Sequence, residues 1–117
     1  MKCTPKPPLR ERDLLSPEQA SALEELFKVL ANDTRLRLLH AIARRREMCV
    51  GDLADELQMT PQAVSNQLQR LRGIVGARRD GNSIYYRIVD QCVLILLDRG
   101  LCLLEEAAKR RKARRFV

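Results

Sequence analysis

A chain of 117 residues, 45% apolar and 32% charged, has room for one small domain with a genuine core. Its longest apolar run, Cys92 to Leu97, cannot cross a bilayer, and the opening MKCTPKPPLRERD lacks the apolar stretch of a secretory leader, which predicts a cytoplasmic protein with no membrane partner. The net charge of +7 is uneven: the last nine residues, KRRKARRFV, hold six basic side chains and no acid, a balance that suits a polyanionic partner.

Residues 1–15 read as a flexible N-terminal arm, 16–108 as the folded domain and 109–117 as a basic tail. Ser16-Pro17-Glu18-Gln19 opens a first helix, with Ser at the N-cap, Pro at the first helical position and Gln placed to reach back. Leu23, Leu26, Phe27 and Leu30 fall on one stripe of it. Asn32 and Asp33 break and recap the chain, and a second helix to about Arg45 is expected to turn Leu36, Leu39, Ile42 and Ala43 inward. His40, the only histidine, lies on that helix and reads as a packing or surface residue. A third helix covers about Val50 to Leu57. Thr60-Pro61 repeats the cap signal and opens a fourth; only Gln58 and Met59 separate the two, which is helix–turn–helix spacing.

Taken at 100° per residue, the fourth helix buries Val64, Leu68 and Leu71. Gln62, Asn66 and Gln69 lie opposite, flanked by Ser65 and Arg70, and no acid occurs from Thr60 to Arg79. Surface helices ordinarily mix lysine with glutamate. A face of amides and a hydroxyl edged by arginine suits base edges and phosphates instead.

The following IVGARRDGNSIYYRIVD switches to period two, with Val75 and Ala77 before a DGN turn and Ile84, Tyr86 and Ile88 after it. Arg78, Arg79 and Asn82 fall at the tip of this hairpin. A basic hairpin placed directly after such a helix is a wing, so the fold class is mainly α with a β-hairpin: a winged helix–turn–helix that contacts double-stranded DNA.

The last helix, from about Gln91 to Arg110, is apolar on nearly every side. Leu94, Leu97, Leu101, Leu104 and Ala108 make one stripe, assigned to the domain's own core. The opposite face holds Cys92, Ile95, Leu96, Arg99, Cys102, Leu103 and Glu106. A helix greasy on both faces needs a second partner, most simply another copy of the chain, giving a homodimer that pairs through its terminal helices. Cys92 and Cys102 are ten residues apart, about 15 Å along one helix, too far to share an ion that binds thiolate at about 2.3 Å. Across a two-fold axis, antiparallel helices bring Cys92 of one subunit beside Cys102 of the other.

Thiolates select soft ions: Hg(II), Cd(II), Pb(II), Zn(II) or As(III). Cys3, carried on the arm, is the natural third ligand, with Asp90, Glu105 and Glu106 as alternatives. The same pairing also permits an intersubunit Cys92–Cys102 disulfide, which makes a thiol-redox switch the second reading. Cys49, next to a short helix, reads as a buried structural thiol. There is no HExxH, no glycine-rich phosphate loop and no Cys/His/Asp set, so the sequence predicts neither an enzyme, nor an organic cofactor, nor a small organic substrate.

The segments LANDTRLRLLHAI, MCVGDLADEL, TPQAVSNQLQRLR and RRDGNSIYYRIVD together resemble the ArsR/SmtB family of metal-sensing winged-helix repressors over roughly residues 20–106. The resemblance implies a homodimer that binds a partly palindromic operator and leaves it when metal binds. One family site lies near a Cys-Val-x-Asp-Leu motif with a second cysteine two residues after the first; here Gly51 stands in that place. Another lies between the C-terminal helices and is built from Asp, His and Glu. Asp90 and Glu106 match it, Cys92 stands where a histidine is expected, and Cys102 is one residue before the place of another. Sulfur in place of nitrogen points away from nickel and cobalt. The family also has about two more residues after Arg72, which leaves the end of the fourth helix and the placement of the wing open.

Overall fold

The computed structural model describes residues 6–115. Helix α1 (Pro17–Leu30) starts where local chemistry dictates: the Gln19 amide donates to Ser16 Oγ at 3.1 Å, and the Ser16 amide donates back to Gln19 Oε1 at 3.0 Å. Helix α2 (Asp33–Arg45) is capped by Asn32, whose Oδ1 accepts from the Arg35 amide at 3.1 Å. It stops at Arg46, which takes a left-handed φ of 71°.

A two-residue strand β1 (Met48–Cys49) follows, then α3 (Val50–Leu57). Gln58 turns left-handed at φ 54°, and Thr60 caps α4 (Pro61–Arg70) by accepting from the Ala63 amide at 3.1 Å. Strands β2 (Val75–Asp80) and β3 (Ser83–Ile88) form the hairpin around Gly81 and Asn82. Only Gly81, at φ 62°, has positive φ there, which suits a turn with glycine first. Helix α5 (Gln91–Arg115) ends the described chain; the Cys92 amide in its first turn donates to Asp90 Oδ1 at 2.9 Å.

The hairpin is thus part of a three-stranded antiparallel sheet, ordered β1-β3-β2, with Met48 opposite Tyr86 and Cys49 opposite Tyr85. One core lies under it, with Leu38, Leu39, Ile42, Met48, Leu53, Val64 and Leu71 fully buried. The expected buried stripe of α4 is present in full. On α2 the inward set shifts: Leu38 and Ala41 are buried and Leu36 is exposed.

The short turn after α4 also has a physical account. Leu71 is buried as the helix C-cap, and its carbonyl accepts from the amides of both Ile74 and Val75 at 3.0 Å. Gly73, at φ 93°, makes the reversal. The helix ends at Arg70, which settles the end of α4 that the sequence left open.

The terminal helices depart from expectation in a consistent way. Helix α1 buries only Leu30 and leaves Leu23, Leu26 and Phe27 exposed. Helix α5 buries Val93 and rests Leu94 and Leu97 on the core, but Leu101 and Leu104 stand exposed rather than inside the domain. It also continues as helix through the basic segment to Arg115.

Candidate nucleic-acid interface and cysteine site

On α4 the side chains of Gln62, Asn66, Gln69 and Arg70 are exposed and Ser65 is half-buried. Thr60 and Pro61 begin the helix, and burial of Val64 and Leu68 fixes which side faces out. Gln62 Nε2 donates to Asn66 Oδ1 at 3.0 Å. This bond holds one amide against the other and does not use the Gln62 oxygen or the Asn66 nitrogen, an acceptor and a donor of the kind that read a base edge.

On the wing, Arg79 and Asn82 are exposed near the tip, and Arg79 has no ion pair among the described residues. Arg78 is held differently. Its guanidinium donates through Nε to Glu47 Oε2 at 3.0 Å and through an Nη to Glu47 Oε1, and it lies 4.9 Å from the centre of the Tyr85 ring. Asp80 is 3.7 Å away. The hydrogen bonds from Arg78 hold the Glu47 carboxyl below its ordinary range, and the same bonds raise the arginine. Glu47 could not be found from the sequence, because it precedes Arg78 by 31 residues and the two meet only through the β1–β3 pairing.

The cysteines are spread apart. Cys102 is an exposed free thiol on α5, and Cys49, the last residue of β1 and N-cap of α3, is a free thiol that is half-buried rather than buried as expected. Cys92 is exposed in the first turn of α5 and is disulfide-bonded, so its sulfur is engaged. Cys3 lies outside the described residues. Among the described residues no three His, Cys, Asp or Glu side chains gather closely enough to hold a metal ion. His40 is on the surface.

A helix–turn–helix whose second helix presents paired amides, followed by a basic hairpin, is a winged-helix DNA-binding module. Residues 32–74 match the family model of bacterial regulatory proteins of the arsR family. A transcriptional repressor SmtB homolog from Synechocystis is 42% identical over 86 residues, covering 72% of this chain; the chain spans just under two thirds, 64%, of that relative. The crystal structure of the AntR antimony-specific transcriptional repressor is 60% identical, with a TM-score of 0.77 over 92% of this chain and 99% of that one. A homodimeric winged helix-turn-helix DNA-binding domain from Mycobacterium bovis, solved by NMR, is 31% identical, with a TM-score of 0.70 over 85% of this chain and 95% of that one. The chain belongs to the ArsR/SmtB family of winged-helix transcriptional regulators, which are DNA-binding proteins and not enzymes.

Proposed function

We propose that the protein is a homodimeric repressor that leaves its operator when a soft, thiophilic ion is bound by cysteines at the paired C-terminal helices. The observation that carries this reading is the 60% identity to a repressor described as antimony-specific, in a chain whose α5 displays two cysteines to solvent. Trivalent antimony joins As(III), Cd(II), Hg(II), Pb(II) and Zn(II) among the candidate effectors, since all bind thiolate strongly.

The donor set supports the reading only across subunits. Cys92 and Cys102 lie ten residues apart on one helix, and the described chain alone offers no cluster of three ligands. Cys3 of the arm is assigned as the third sulfur. A soft ion supplies bonds to several thiolates at once, and so fixes the relative position of the segments that carry them.

The chain's own residues do the rest. Gln62, Ser65, Asn66 and Gln69 read base edges in the major groove, while Arg70, Arg79 and Asn82 hold the backbone around it. Arg78, expected there from the sequence, instead holds Glu47 and shapes the wing. The uncovered stripes of α1 and α5 pair the subunits and thereby set the spacing of two α4 helices against successive grooves. Effector binding lowers operator affinity only to the extent that it favours a dimer arrangement with the wrong spacing. A second reading is an intersubunit Cys92–Cys102 disulfide whose formation alone releases the operator. Within the single chain Cys102 is a free thiol, so the disulfide at Cys92 is not that bond, and it must be reduced before Cys92 can serve either reading.

The test is operator binding by reduced, anaerobic protein, titrated with Sb(III), As(III), Cd(II), Pb(II), Hg(II) and Zn(II), alongside Cys92→Ser, Cys102→Ser and Cys3→Ser. Release by one ion in the parent, lost in the Cys92 and Cys102 variants, is the expected result. Release that survives both variants overturns the site. Release by mild peroxide without any ion, with a covalent dimer on a non-reducing gel, selects the redox reading.

A further inference from the structure

We infer that Arg35 is the positioning residue of the recognition helix, tying the middle of α4 to the C-terminal end of α1. Its guanidinium donates through Nε to Gln67 Oε1 at 2.9 Å and through Nη1 to the Val29 carbonyl at 2.8 Å, and both bonds are partly buried. Gln67 lies on α4 between the exposed Asn66 and the buried Leu68. Val29 lies in the last turn of α1, where backbone carbonyls lack helical partners and the helix dipole is negative. One planar fork therefore satisfies an orphan carbonyl and grips the recognition helix, a geometry that a lysine ammonium reproduces poorly.

The arrangement has a clear origin in the chain. Asn32 caps α2 and its side chain fixes the Arg35 amide at 3.1 Å, so the arginine leaves the first turn of α2 in a set direction, beside the end of α1. The bond to Gln67 crosses 32 residues of sequence. Helix α1 otherwise reaches the core through little more than Leu30 and Val29. Arg35 is consequently a direct polar link between α1 and α4. Where α1 belongs to the subunit interface, which rests on the dimer reading above, a change in subunit pairing reaches Gln67 through this side chain.

Positioning differs from phosphate contact and from mere stability in what it changes. A phosphate ligand contributes to every duplex alike and adds close to one unit to the salt-dependence slope. A residue needed only for folding lowers binding to all duplexes in proportion to the unfolded fraction. A positioning residue aligns the amides of α4 on base edges, so its loss lowers operator affinity and spares non-specific binding.

The experiment measures parent, Arg35→Lys, Arg35→Met, Gln67→Leu and the Met/Leu double variant against an operator duplex selected from a random pool and against a random duplex, across salt. Arg35→Met is expected to lose roughly tenfold on the operator and little on the random duplex, with Arg35→Lys intermediate. The Gln67→Leu loss is expected not to add to that of Arg35→Met. Equal losses on both duplexes, a slope lower by about one, fully additive losses, or no loss from either single variant overturn the inference. Sedimentation of the parent separates the two readings: a monomer removes the dimer link to α1, while the operator-to-random ratio still decides the role of Arg35.

Discussion

Of the wing arginines, Arg78 is committed within the chain and Arg79 is not. Three hydrogen bonds to Glu47 and the Tyr85 ring beneath it spend the Arg78 guanidinium on tying β2, across β3, to the residue that precedes β1. The pair makes a pH prediction with a definite sign. Glu47 has a folded pKa below the ordinary carboxylate value because Arg78 donates to it. As pH falls, the unfolded chain takes up this proton first. The contribution of the pair to stability is therefore complete above the ordinary glutamate range and is lost as pH falls through the lowered folded value. Both groups reach solvent, so the effect on unfolding is small, and the direct measurement is NMR titration of the Glu47 carboxyl. It is expected to titrate below the ordinary carboxylate value and to return to it in Arg78→Ala; an unchanged Glu47 titration in that variant would dissolve the clasp.

At the scale of elements, the sequence was legible wherever the determinant was local. Ser16 with Gln19, Asn32 and Thr60 each mark a helix start within three residues, and all three caps are formed. The spacing of α3 and α4 and the exposed face of α4 follow from the same short-range periodicity. Strand β1 was not legible, because two residues carry no period of their own and become a strand only by pairing with Tyr85 and Tyr86 more than thirty positions on. Arg35 to Gln67 and Arg78 to Glu47 were missed for the same reason. The wing also hides a close contact at Gly76, where an added Cβ would lie 2.7 Å from Val89 Cγ1. Gly76→Ala must displace the Val89 side chain or part β2 from the segment leaving β3, at a cost of ~1–3 kcal/mol. Thermal unfolding is expected to show that loss, whereas Gly51→Ala, with open space at its Cβ, leaves no such clash; equal melting of Gly76→Ala and parent contradicts the contact.

For the whole molecule, the deciding fact is apolar surface left in water. The sequence showed that α5 is apolar on two sides, but its stripe pattern placed Leu101 and Leu104 on the wrong one. Only Val93, Leu94 and Leu97 reach the core, because a domain this small covers just the first two turns of a 25-residue helix. What remains is a surface of Ile95, Leu96, Leu101, Leu103 and Leu104 on α5 and of Leu23, Leu26 and Phe27 on α1. Scattered exposed leucines are ordinary, but a run of them along two helices marks an interaction surface. A homodimeric relative exists with the same fold, and a two-fold pairing serves DNA binding, since two linked recognition helices engage half-sites far more tightly than one. Leu103 discriminates well because it is 66% exposed in the single chain, so a charge there costs the domain itself almost nothing. Leu103→Glu is expected to keep the helical circular-dichroism spectrum, shift sedimentation from dimer to monomer, and weaken operator binding by roughly a hundredfold through lost linkage. Binding to a single half-site should hardly change. A variant that stays dimeric places the interface elsewhere. A variant that becomes monomeric yet binds the full operator as the parent does breaks the proposed connection between subunit pairing and DNA recognition.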